Sequence, residues 1–353
     1  MSIIAVIIFI SLLILAHEWG HFFAARAFRV RVDEFGFGFP PRLFSRVRGG
    51  VRYSFNLLPF GGFVKIFGEH GEGEDSHASF ASRPAWQRFV ILAAGVGLNV
   101  FAAWILFSTA AAIGLPQIAE GDAPVPVSVI GVLPGSPAEQ AGIKLGDKIL
   151  EIHGREVTLR IEKEEDVSGF IDAYRGEEIT LVVARQDNVM EILATPRATA
   201  PAGEGPLGVA LGRIVIEKVP WYRAPLTGFE SLVQSTIAIV LGLASLAREL
   251  VTTGHAPGTV SGPIGILLFG RDSGALGIAY FLQFIGVLSV NLAVLNFLPI
   301  PALDGGRALF IAIEKIRGKK IAGRIEDTAH MVGFVALILL MIAVTWRDIV
   351  RFW

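Results

Sequence analysis

His17, Glu18 and His21 stand in one apolar run, Ile3 to Ala25, that otherwise carries no ionisable side chain. Residues four apart share a helix face, so the two imidazoles can each offer a nitrogen to one metal, with Glu18 beside them. Imidazole and carboxylate donors suit zinc, and a hydrolytic zinc site keeps one position open for a water whose pKa falls to about 7 on the metal. A charge at bilayer depth costs about 2.5 kcal/mol or more, so these groups demand partners. A third protein ligand has to come from elsewhere.

The candidate for it follows a second apolar run, in Asn296-Phe297-Leu298-Pro299-Ile300-Pro301-Ala302-Leu303-Asp304-Gly305-Gly306. Pro299 and Pro301 cannot continue a regular helix, and their freed carbonyls need other partners. Asp304 is a carboxylate at that irregular end, on the side of the membrane toward which the first helix carries His21. It is the expected third ligand.

The elements that must position these groups are membrane helices. The 353 residues are 52% hydrophobic and 18% charged, which is the balance of an integral membrane protein. A net charge of −1 gives no basis for nucleic-acid binding, and the absence of Cys excludes disulfides and thiolate metal sites. Four apolar runs approach the roughly 20 residues needed to span: 3–25, 89–115, 274–298 and 329–346. The expectation is a polytopic α-helical membrane protein with about four transmembrane helices. A fifth stretch, 225–246, is apolar but interrupted by Glu230 and Gln234; if it spanned, the run at 274–298 would deliver Asp304 to the wrong side, so it reads as an interfacial or partly inserted helix.

Charge sets the orientation. Residues 26–88 carry ten Lys or Arg against six acids and 304–330 carry six against four, so both face the cytoplasm; 116–225, with eleven against seventeen, faces outside. On the cytoplasmic side, alternating glycines and aromatics over 35–65 predict bent β-hairpins at the membrane surface. Their edge can pair with an extended peptide, which makes Tyr53 and Phe55 candidate substrate-contacting residues. The acidic, glycine-rich stretch 69–79 reads as a loop.

From Val125 to about Thr195 the composition is that of a small β-rich domain. Ser136 can cap a short helix from Pro137, Gly142 can stop it, Gly146-Asp147 can turn, and a strand can begin near Ile149. This segment resembles the core of a PDZ domain, a fold that binds peptides by strand addition. Residues 198–206 read as a linker.

The whole pattern resembles the bacterial site-2 proteases, the family that includes the regulator of sigma-E protease. His17-Glu18-x-x-His21, one PDZ insertion, Ser261-Gly262-Pro263-Ile264-Gly265-Ile266 and the Leu303-Asp304-Gly305 signature carry the likeness. The resemblance implies Zn2+ on His17, His21 and Asp304, with Glu18 as general base. It also implies a grip on unwound substrate backbone by Asn296 and the Pro299 and Pro301 stretch. Gly95-Val96-Gly97-Leu98-Asn99 corresponds to a Gly-Pro-x-x-Asn element, with Val96 in place of proline and Asn99 kept, which makes Asn99 a further candidate substrate-binding residue.

The implied organisation is a protease core over 1–115 and 274–353, a PDZ domain over 125–197, and a linker with an interfacial helix over 198–273. The implied activity is cleavage of transmembrane segments of single-span proteins, such as anti-sigma factors already trimmed outside. The site would lie toward the cytoplasmic side of the bacterial cytoplasmic membrane, with the PDZ domain outside. The partners would be those substrates, lipid and a PDZ ligand. A metal-binding membrane scaffold without proteolysis and a metal transporter are the alternatives that the same residues admit.

Overall fold

The computed structural model describes residues 3–69, 76–118, 125–155, 157–185, 188–201, 204–253, 261–319, 321 and 323–352. Most of the acidic loop expected at 69–79, and part of the linker expected at 198–206, lie outside the described residues. The chain forms two compact units, one of residues 1–112 with 219–353 and one of residues 113–218.

The first unit holds helices α1 (Ile3–Ala27), α2 (Ala85–Ile113), α5 (Ala224–Thr253), α6 (Pro263–Leu276), α7 (Ile278–Phe297), α8 (Asp304–Arg317) and α9 (Gly323–Phe352). Five of these, α1, α2, α5, α7 and α9, are long and apolar enough to cross a membrane. That is one more than the four runs read from the sequence. The addition is α5, which continues unbroken through Glu230 and Gln234; both are exposed, while Leu232 between them is buried with Ala103, Phe107 and Val290 of α2 and α7. The run read at 274–298 is divided, because Gly277 breaks it and separates α6 from α7.

The Ser261-to-Ile266 motif starts α6, and its role is visible in the cap. Asp348, a buried carboxylate on α9, accepts hydrogen bonds from Gly262 N at 3.0 Å and Gly265 N at 2.8 Å. A carboxylate on the free amides of a helix start satisfies both the donors and the charge.

Strands β1 (Val32–Arg48) and β2 (Val51–Ile66) join through Gly49-Gly50, both with positive φ, the turn that suits the twist of a two-residue hairpin. The strands bend and pair twice. Segment 34–37 lies between 52–55 and 62–65, and 52–55 pairs on its other side with 44–47. Tyr53 and Phe55 are therefore on an interior segment, and the outer segments of this small sheet are 44–47 and 62–65, the latter packed against α1.

The second unit is a seven-stranded sheet made of β3 (Leu115–Ile118), β4 (Val127–Val132), β5 (Lys148–His153), β6 (Thr158–Arg160), β7 (Ile179–Arg185), β8 (Asn188–Ala194) and β9 (Val209–Glu217). The order is β3-β9-β4-β5-β7-β8, with β6 on β5. Helices α3 (Pro137–Gln140) and α4 (Glu164–Ala173) complete it, and α4 buries Val167, Phe170 and Ile171. The local plan holds: Ser136 accepts from Glu139 N at 3.2 Å to cap α3, and β5 follows the Gly146-Asp147 turn. Buried Asp147 accepts from Lys144 N at 2.8 Å and from both Nε and Nη2 of Arg185 at 2.7 Å. Part of the stretch read as linker is strand β9, seated between β3 and β4; Gly208 and Gly212 had masked its strand pattern.

Helices α1 and α2 meet through glycine, as close helix packing in a membrane requires. A Cβ on Gly20 would fall 2.2 Å from the Ala94 carbonyl oxygen, and one on Gly95 would fall 2.4 Å from His21 Nε2. Gly97, two residues on, faces open space. Gly20→Ala is expected to destabilise the protein by about 1–3 kcal/mol through overpacking. Gly97→Ala should instead be neutral or stabilising by up to about 1 kcal/mol, since Ala is the better helix former. Thermal unfolding of the two variants in detergent, followed by circular dichroism, checks the contrast.

Candidate metal centre

The face of α1 that meets α2 carries both imidazoles. His17 and His21 are 6% and 5% exposed, and their Nε2 atoms lie 3.1 Å apart. Asp304 reaches them from the start of α8, its Oδ2 being 2.9 Å from His17 Nε2 and 3.2 Å from His21 Nε2. The turn before α8 makes this reach possible. Gly305 and Gly306 let the first turn of α8 rest on the Leu298 and Ile300 carbonyls, where a Cβ would come within 2.2 and 2.3 Å.

The donor set fits zinc. Bonds of about 2.0–2.2 Å in a tetrahedral arrangement place ligand atoms about 3.3–3.6 Å apart, slightly wider than the separations of 2.9–3.2 Å seen here. Two neutral imidazoles and one carboxylate are the donor types such a site uses, and a small outward shift of each would admit the ion. His21 is oriented for the task, because its Nδ1 lies 2.9 Å from the Ile91 carbonyl oxygen, which accepts the Nδ1 proton and leaves Nε2 as donor to a metal.

Glu18 lines the same cavity, of about 220 Å³, together with His17, Asp304 and Asn296. Its Oε2 accepts a hydrogen bond from Val64 N at 2.9 Å. The carboxylate is thus held by the 62–65 edge of the sheet beside the His17, His21 and Asp304 cluster.

The sequence-derived substrate residues separate into groups. Asn296 does line the cavity, with its Nδ2 3.4 Å from His17 Nε2. Pro299 and Pro301 shape the turn and do not line the cavity. Tyr53 packs on Phe22 and Phe35, and Phe55 stacks on Phe37 at 5.2 Å, so both belong to the aromatic face of the sheet.

Asn99 borders the cavity but is fully buried, and its Nδ2 lies 3.4 Å from His17 Nδ1. Its Oδ1 is buried with no hydrogen-bond partner. With a metal on Nε2, the His17 proton sits on Nδ1, and turning the Asn99 amide over lets Oδ1 accept it. One rotation would satisfy both groups, which places Asn99 to orient His17. Ser289 of α7 fixes the spot by donating to the Asn99 carbonyl at 2.8 Å. The residues that sequence reading missed, Ile91, Val64 and Ser289, act mainly through backbone groups or on them, and such roles leave no side-chain signature. Asn99→Ala is expected to weaken zinc binding by about 10–100-fold. Competition with a chromophoric chelator in detergent measures this, and unchanged affinity would remove Asn99 from the site.

Comparison with known proteins shows the family. The model of "Peptidase family M50" matches residues 5–340. A putative zinc metalloprotease of Clostridium perfringens is 35% identical, with 99% of both chains covered. The zinc metalloprotease RasP of Geobacillus kaustophilus is 29% identical over 99% of this chain and 98% of its own. A putative zinc metalloprotease of Rhizobium meliloti is 30% identical over 96% and 94%. A family match of that length, alongside relatives aligned almost end to end, makes this chain a member of peptidase family M50.

Proposed function

We propose that this membrane metallopeptidase is a zinc-dependent intramembrane protease of the site-2 type, cutting transmembrane segments of single-span proteins. The observation that carries the reading is the hydrogen bond from Val64 N to Glu18. It puts a sheet edge directly beside the candidate general base, within a unit that holds five helices long and apolar enough to cross a membrane.

A transmembrane substrate hides its peptide bonds in helical hydrogen bonds and must unwind before hydrolysis. An unwound segment needs replacement partners, and the outer 44–47 segment of the sheet presents extended backbone of the kind that strand addition uses, while the Val64 N–H of the 62–65 edge is taken by Glu18. Asn296 adds an amide at the cavity. Zinc, when bound, supplies Lewis-acid chemistry. Glu18 takes the proton of the attacking water and delivers it to the leaving amine. His17, His21 and Asp304 hold the ion, while Asn99 and the Ile91 carbonyl hold the imidazoles.

The charge bias of 26–88 and 304–330 supports an active site toward the cytoplasm, and the acidic 116–225 supports an outer location for the sheet unit. In a bacterium the membrane would be the cytoplasmic one. The α3-to-β5 segment supports a PDZ-like module there, which would bind peptide ends or screen substrates trimmed by an earlier cut, as anti-sigma factors are.

Glu18→Gln is expected to lower cleavage of single-span model substrates by about 10²–10⁴-fold while leaving zinc content unchanged. Purified protein in detergent, assayed with and without a chelator, tests this. Cleavage by the variant at the wild-type rate would remove Glu18 from the chemistry, and a zinc-loaded wild type that cuts no trimmed substrate would favour a binding protein.

A further inference from the structure

The turn that delivers Asp304 is anchored from outside itself. Between Leu298 and Asp304 two residues are proline and donate nothing, so three backbone N–H groups need acceptors. Ile300 N donates to Leu298 O at 2.7 Å and Leu303 N to Ile300 O at 3.2 Å, both inside the turn. The third, Ala302 N, donates to Nδ1 of His330 on α9 at 2.8 Å. Ala302 has φ of +81°, in the left-handed region that L side chains seldom adopt. One turn further along α9, Gly333 lies against the same segment, where a Cβ would come 2.3 Å from the Pro301 carbonyl oxygen.

We propose that His330 is a positioning residue for the metal centre: by accepting the Ala302 N–H it holds the 299–303 turn in the form that brings Asp304 to His17 and His21. It touches neither metal nor substrate. Its ring leans on Phe310 of α8, with centroids 5.7 Å apart, and Glu326 lies 4.0 Å from Nε2 on its other side. The same side chain therefore spans from α9 to both the turn and the helix that Asp304 begins. Without the acceptor, Ala302 has no local reason to keep a positive φ, and a relaxed Ala302 would swing Asp304 two residues away.

The inference rests on the proteolytic reading for its kinetic consequence, but not for its effect on metal retention. His330→Phe keeps an aromatic ring against Phe310 and removes the acceptor. His330→Asn restores an acceptor, because Asn carries Oδ1 on Cγ where His carries Nδ1. The Phe variant is expected to lose zinc to a chelator about tenfold faster than wild type, with kcat reduced and KM unchanged, as loss of an outer support of a metal ligand does. The Asn variant should return the zinc off-rate to within about threefold of wild type, since the same acceptor is present. Zinc retention by the Phe variant equal to wild type would overturn the proposal. So would failure of the Asn variant to rescue, whether it folds or aggregates, because the role would then be one of packing. If no substrate is cut by any variant, the zinc off-rates still decide the question, and the proteolytic reading fails separately.

Discussion

Three ionisable groups packed between apolar helices must satisfy one another or be satisfied by backbone. His17, His21 and Asp304 do the first, with every pairwise contact between 2.9 and 3.2 Å. The rest of the first unit follows from what brings them that close. Helix α2 must approach α1 at glycine, because any side chain at Gly95 would occupy the position of the imidazoles. The chain after α7 must leave helical geometry, because a straight helix would carry Asp304 past the site. Two prolines break it and two glycines let it fold back.

Much of that was legible in the sequence, because the chemistry of a membrane interior leaves few alternatives. Two His and a Glu in an apolar run are costly enough to mark a site, and Asp304 in a proline-broken segment of the opposite run is the natural completion. The helices read at 3–25, 89–115, 274–298 and 329–346 correspond to α1, α2, α7 and α9 within a few residues at most ends. The Ser136 cap and the Gly146-Asp147 turn were readable for the same reason: their side chains act on neighbours in sequence.

What the sequence hid were interactions between segments far apart in the chain. The double pairing of β1 and β2 depends on bends that alternation does not report, so Tyr53 and Phe55 looked like edge residues and are interior. Strand β9 exists because β4 and β3 accept it, not because its own glycine-bearing stretch prefers to be extended. Likewise the outward placement of Glu230 and Gln234 on α5 is decided by the packing of Leu232 against α2 and α7. Asn99 was assigned to substrate from its resemblance, and burial against His17 gives it a different task.

A common device runs through the unit. Several ionisable side chains around the site are each met by a backbone group. Glu18 is held by Val64 N, His21 by the Ile91 carbonyl, Asp348 by the amides of Gly262 and Gly265, and His330 by Ala302 N. In each case the backbone group is available for a stated reason: a sheet edge, a glycine-lined helix contact, a helix start, or a turn between prolines. Backbone partners have few rotatable bonds, so they fix a side chain at little further cost in conformational entropy. They also carry no net charge of their own, which suits a low-dielectric interior where a second charge would need yet another partner. The Gly, Pro and sheet-edge positions around the site are therefore part of its electrostatics as much as of its shape.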